Sequence, residues 1–203
     1  MIDIELLIDG HKRFRKKHFD KDKKLYQELA TEGQTPKTLI IACSDSRVDP
    51  AIIFDADPGD LFVIRNVANL VPPYQPMNES YHGTSAALEF GVNNLKVEHI
   101  IVLGHSGCAG IKSLCDHDDE GSKKFSFISS WVNIAKEAKE MAQKGKPSSV
   151  EEMYSLCEKE SILTSIENLL TFPWIKEKVK NNTLALHGWY FSLNNGKLLR
   201  VKY

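Results

Sequence analysis

Apolar residues fall along this chain in short β-branched runs separated by stretches of helical spacing. The runs are Thr38–Ala42, Leu61–Arg65 and His99–Leu103. Each has strand length, and Val/Ile enrichment favours the pleated state. Ala87, Leu88 and Val92, within Thr84–Leu95, recur at helical intervals instead. Pro58-Gly59 introduces the second run, and Pro72-Pro73 keeps Leu70–Gln75 a loop. Residues 123 to 180 read as two or three helices, broken at Gly145-Lys146-Pro147 and near Pro173. Leu184–Leu193 and Leu198–Val201 flank Asn194-Asn195-Gly196, a hairpin signal. Residues 2 to about 32 read as helices, with Ile4, Leu7, Ile8 and Phe14 as a partial apolar stripe, and Gly33 and Pro36 end them.

Short strands alternating with helices imply parallel pairing through crossover connections. The predicted fold is α/β: a central, mainly parallel β-sheet flanked by helices, with an N-terminal helical arm and a C-terminal edge hairpin. No internal repeat or low-complexity tract divides the chain. The reading is one domain over residues 1–203, with 1–33 as the arm and 34–203 as the α/β core.

Composition narrows the function classes. Hydrophobic residues make up 42% and charged residues 26%, as in a soluble globular protein. The formal net charge of −1 argues against a nucleic-acid partner. The basic stretch His11–Lys24 is interrupted by Phe14, Phe19, Asp20 and Asp22, so it reads as a solvated helix face. No apolar run approaches the ~18 residues that span a bilayer, so no membrane partner is expected. The N-terminus lacks the pattern of a secretory signal, and Asp3 and Glu5 do not suit a transit peptide. The expected location is the cytoplasm. There, four cysteines point to metal binding or catalysis before disulfides.

Two segments carry the candidate chemistry: Cys43-Ser44-Asp45-Ser46-Arg47 and His105-Ser106-Gly107-Cys108. Each directly follows a predicted strand. Open α/β sheets keep their sites at such strand ends. Two thiolates and one imidazole suit Zn²⁺, and three protein ligands leave a fourth position open. Cys108 is placed in the first turn of a helix, where the macrodipole favours its thiolate. Asp45 either closes the metal site itself or is held off it by Arg47 in a bidentate pair. Cys115 and Cys157 read as small core residues. A phosphate-cradling cysteine loop would need a longer spacing, since only three residues separate Cys43 from Arg47.

These residues resemble the β-class carbonic anhydrases. Gly104 joins the second segment, and Pro58–Phe62, Arg65–Asn69, Val71–Tyr74 and His187–Trp189 match as well. The likeness covers roughly residues 34 to 200. It implies one Zn²⁺ per chain on Cys43, His105 and Cys108, with Asp45 and Arg47 as catalytic dyad. It implies reversible hydration of CO₂ to bicarbonate and a proton by zinc-bound hydroxide, and self-association to a homodimer or tetramer with the arm clasping a second subunit. One subgroup closes its site with the aspartate and binds bicarbonate through a Trp, an Arg and a Tyr. Here only Arg65 is present, with Ile40 and Phe191 at the other two positions. Gln34, nine residues before Cys43, matches the subgroup with a constitutively open site. In that subgroup Gln34, Phe62, Val67 and Phe90 line the CO₂ pocket, partly from the partner subunit. Phe90 stands where a tyrosine is usual, and Ala109 where a glycine is usual. Two other readings stay open: a non-enzymatic zinc module of the same fold, and a related lyase acting on carbon disulfide.

Overall fold

The computed structural model describes residues 3–76, 81–116 and 127–202. It comprises two compact units, Met1–Thr35 and Pro36–Tyr203. The first holds helix α1 (Ile4–Phe14), a π-helical turn at Arg15–Phe19 and helix α2 (Lys23–Glu32). Phe14 and Phe19 both pack on Tyr26, with ring centroids 6.1 and 4.8 Å apart. The predicted stripe of Ile4, Leu7, Ile8 and Phe14 is exposed.

The second unit is built on strands β1 (Thr38–Cys43), β2 (Leu61–Asn66), β3 (His99–His105), β4 (Ala185–Phe191) and β5 (Leu198–Val201). Their order is β2-β1-β3-β4-β5. The first four run parallel, and β5 pairs antiparallel with β4. The predicted sheet and edge hairpin are therefore present. The hairpin does not turn on a two-residue Asn-Gly loop. Residues 192–197 connect the strands, with Ser192 N–H bonded to the Lys197 carbonyl and Gly196 at φ +68. The predicted helix over Thr84–Leu95 is α4 (Gly83–Glu89) followed by a π-helical turn, Phe90–Asn94.

The alternation of β1 sets the two faces of the sheet. Leu39 and Ile41 point into one core, with Ile100, Val102, Leu186 and residues of the long helix α8 (Val150–Leu169). Ile40 and Ala42 point the other way, with Ile101, Leu103, Phe54 and Trp189. Before α8 come α3 (Pro50–Ile53), α5 (Ala109–Asp116), α6 (Phe127–Val132) and α7 (Lys136–Lys144), and α9 (Pro173–Lys180) follows it. The stretch predicted as two or three helices thus holds four among its described residues, since 123–126 lie outside them. Helix α8 (Val150–Leu169) is capped by Ser149, whose hydroxyl accepts the Glu152 N–H at 3.1 Å.

Two glycines let α8 press close to the sheet. A Cβ at Gly104 would lie 2.7 Å from Ile162 Cδ1, and one at Gly188 would lie 2.8 Å from Ile162 Cγ2. Ile162 therefore sits in a notch between β3 and β4. Gly188→Ala is expected to destabilise the fold by about 1–3 kcal/mol, the usual cost of overpacking. A urea unfolding midpoint unchanged from wild type would contradict this packing account.

Candidate metal centre

Strand order reverses at β1: β2 lies on one side and β3 on the other. Ligand sites in open α/β sheets form at such a switch point, outside the carboxyl ends of the strands. Cys43 is the last residue of β1, and His105 is the last residue of β3. The chain then turns through Gly107, at φ +68, which needs no Cβ penalty. Cys108 follows, immediately before α5 rather than inside its first turn.

The sulfurs of Cys43 and Cys108 and a ring nitrogen of His105 lie within 4.8 Å of one another, and all three residues are buried. The two sulfurs are 4.0 Å apart. His105 Nδ1 pairs with the Ser106 carbonyl at 3.0 Å, which fixes the proton on that nitrogen. Its Nε2 is buried with no hydrogen-bond partner among the described residues. A bare, buried ring nitrogen beside two thiols is a lone pair awaiting an acid, and a metal ion meets that need. The donor set fits Zn²⁺.

The two thiols are shifted in opposite directions. Cys43 is held down to about 4, chiefly because Cys108 donates to it and with help from the Asp45 and Ala68 N–H groups, against the upward push of burial. Cys108 is pushed up because it keeps the shared proton and is buried, although the Gly110 and Ile111 N–H groups work in the other direction. Ala68 reaches Cys43 through a left-handed conformation, φ 64 and ψ 23. A Cβ on Gly110 would lie 2.9 Å from Val67 Cγ1 and 3.0 Å from Ala68 Cβ, so the missing side chain lets α5 close on that turn.

Asp45 is turned toward Arg47. Its Oδ1 accepts from the Arg47 backbone N–H and from Nε, both at 2.9 Å, and its Oδ2 accepts from Nη2 at 2.7 Å. Arg47 Nη2 also reaches the Gly107 carbonyl at 3.2 Å, tying the two ligand loops together. Arg47 therefore holds the Asp45 carboxyl well below the usual carboxylate range, against a smaller upward push from burial.

Arg65 is a brace for the same loop. Its guanidinium donates to the carbonyls of Cys43 and Asp45 at 3.1 and 2.6 Å and to Asp49 Oδ2 at 2.7 Å. Asp49 Oδ1 meanwhile caps α3 through the Ala51 N–H. Ile40 and Phe191 belong to the apolar cluster on the second sheet face.

Val67 lies on the turn against Gly110, and its carbonyl accepts the Trp131 indole N–H at 2.7 Å. Phe62 and Phe90 pair with each other, ring centroids 5.8 Å apart, and Phe90 is 46% exposed. Phe62 stands opposite Leu39 on β1. That is four strand positions, about 13 Å, behind Cys43. Gln34 belongs to the N-terminal unit. Glu158 was not among the predicted residues, yet it contacts the centre directly. Its Oε1 accepts the Cys108 backbone N–H at 3.0 Å. No local signal in the sequence marks it: it lies on the buried stripe of Ser161, Ile162, Ser165 and Ile166 only once the helix is docked.

Such a donor set at the switch point of a mainly parallel sheet is that of a metalloprotein with a zinc-type centre. The known relatives agree. The family model described as carbonic anhydrase matches residues 38–198, so the chain belongs to the carbonic anhydrase family, and its relatives are of the β class. Chloroplastic β-carbonic anhydrase 5 of Arabidopsis thaliana is 47% identical over 181 residues, which is 88% of this chain and 58% of that protein. The chain thus spans little more than half the length of that relative. The solved β-carbonic anhydrase CcaA is 34% identical with a TM-score of 0.89, over 97% of this chain and 86% of that one. One of two tetrameric β-carbonic anhydrases from Sordaria macrospora is 26% identical with a TM-score of 0.85, over 98% of this chain and 96% of that one.

Proposed function

We propose that this protein catalyses the reversible hydration of CO₂ to bicarbonate and a proton, with zinc held by Cys43, His105 and Cys108 and with Asp45 and Arg47 as the catalytic pair. The observation that carries this reading is the Asp45 carboxylate, held by Arg47 beside a three-ligand metal set. Zinc bound there supplies Lewis acidity, which turns water into a nucleophile near neutral pH.

The remaining work belongs to side chains of this protein. An ionised carboxylate offers about four acceptor sites. Arg47 takes two on Oδ1 and one on Oδ2. The last, on Oδ2, is free to accept a hydrogen bond from water and orient it. Asp45 performs this role only while ionised. Its pKa is depressed, so it is charged at any pH above about 5 and the Arg47 pairing is lost only in acid, below the usual Asp value near 3.9. The open form is also supported by the engagement of Arg65 on three acceptors and by Ile40 and Phe191 replacing polar bicarbonate contacts. A structural zinc module, in which Asp45 closes the site, is not favoured by an aspartate bound on both oxygens to Arg47.

Self-association belongs to the same proposal. The exposed stripe of Ile4, Leu7, Ile8 and Phe14 suits an arm that clasps a second copy. The wide separation of Phe62 from Cys43 suits a CO₂ pocket of Gln34, Phe62, Val67 and Phe90 assembled from two chains. Among the described residues no helix is long and apolar enough to cross a membrane. The four cysteines are free. We propose the cytoplasm, a reducing compartment that keeps such thiols free, whereas the Arabidopsis thaliana relative is named chloroplastic.

The test is a pH–rate profile of CO₂ hydration. Two thiolates offset the zinc charge, so the reactive water is expected to be less acidic than the pKa of about 7 found at a three-histidine carbonic anhydrase site. The rate is expected to rise on the alkaline side with no inflection from Asp45. A profile already flat from slightly acid pH upward contradicts the assignment.

A further inference from the structure

Glu158 is a carboxylate with 4% exposure in the middle of α8. Burying such a group is costly unless its oxygens are paired. Both are: Oε1 accepts the Cys108 N–H at 3.0 Å, and Oε2 accepts the Tyr190 hydroxyl at 2.7 Å. Tyr190 is itself buried on β4, directly opposite Gly104 on β3. Docking of α8 does not require a carboxylate here, because Ile162 already seats the helix in the Gly104–Gly188 notch one turn away.

We infer that Glu158 is a positioning residue for the metal centre, fixing the backbone of the ligand Cys108 through its N–H. The Cys108 carbonyl accepts the Lys112 N–H at 2.9 Å and starts α5. Its N–H is held by Glu158. With both neighbouring peptide groups fixed, only χ1 is left to aim the sulfur. The notch sets the height of α8 on the sheet, so the same packing that buries Ile162 delivers the Glu158 carboxylate to Cys108. Ligand-orienting contacts of this kind commonly govern metal affinity by about 10–100-fold.

This inference rests on the zinc reading, and the test separates the two. Zinc affinity is measured by competition with a chromophoric chelator, and the thiolate-to-metal band is recorded on Co²⁺-substituted protein. Glu158→Leu is expected to raise the zinc Kd by about 10–100-fold and to alter the Co²⁺ band. Glu158→Gln, which still offers a carbonyl oxygen to the Cys108 N–H, is expected to stay within about threefold of wild type. Should Glu158→Leu fail to fold, Glu158→Asp carries the test. Its carboxylate is withdrawn by one methylene from the Cys108 N–H, so its Kd is expected to rise as well. A lowered Tm with wild-type zinc affinity and an unchanged Co²⁺ band, in either Glu158→Leu or Glu158→Asp, overturns the positioning role and leaves Glu158 merely structural. A wild-type protein that binds no zinc overturns both readings.

Discussion

Cys43→Ser is expected to abolish CO₂ hydration, with a fall of at least ~10³-fold and loss of bound zinc. The sulfur of Cys43 is one of three candidate ligand atoms within 4.8 Å of one another, and hydrogen bonds from Cys108 and the backbone lower its pKa. A serine hydroxyl at that position is a poor ligand, because it stays protonated where the thiol does not. Lewis-acid activation of water is worth several kcal/mol, and about 4 kcal/mol is three decades in rate. The fold itself should survive, because Cys43 contributes only one small side chain to a larger apolar cluster. Metal analysis beside circular dichroism checks this. A folded Cys43→Ser protein that retains zinc and activity would remove Cys43 from the site.

Asp45→Asn is expected to cost about 10²-fold or more in kcat while zinc stays bound, which is the range for a positioned proton acceptor. The amide keeps an oxygen for Arg47, but its NH₂ donates where the carboxylate accepts. The side chain then loses the Oδ2 site argued to orient water, and it turns an unmatched donor toward the Arg47 guanidinium. The pattern that identifies this role is a lower kcat with zinc stoichiometry unchanged. Loss of zinc together with activity would instead mean that Asp45 is a ligand and that the open site is wrong.

The sequence was most legible where local chemistry decides. β-branched runs announced β1, β2 and β3, and the two ligand segments followed them directly. The structure extends these strands to Cys43, Asn66 and His105, so two of the three ligands are the last residues of strands rather than loop residues. Asn194-Asn195-Gly196 announced a reversal but not its length. That depended on Asn195 Oδ1 accepting the Lys197 N–H and on the Ser192–Lys197 backbone bond. The pairing of Asp45 with Arg47 was readable because both lie in one five-residue segment. Glu158 was not, because its partners Cys108 and Tyr190 are 50 and 32 positions away and meet it only when α8 docks. The triple engagement of Arg65 was hidden for the same reason: it depends on how the loop after β1 folds back over the neighbouring strand.

Stopped-flow CO₂ hydration on metal-quantified wild-type protein tests the central claim most directly. The account predicts close to one zinc per chain and rapid hydration that disappears when the metal is removed by a chelator and returns when zinc is restored. One zinc per chain with no hydration would contradict it, and would make the centre formed by Cys43, His105 and Cys108 a structural one.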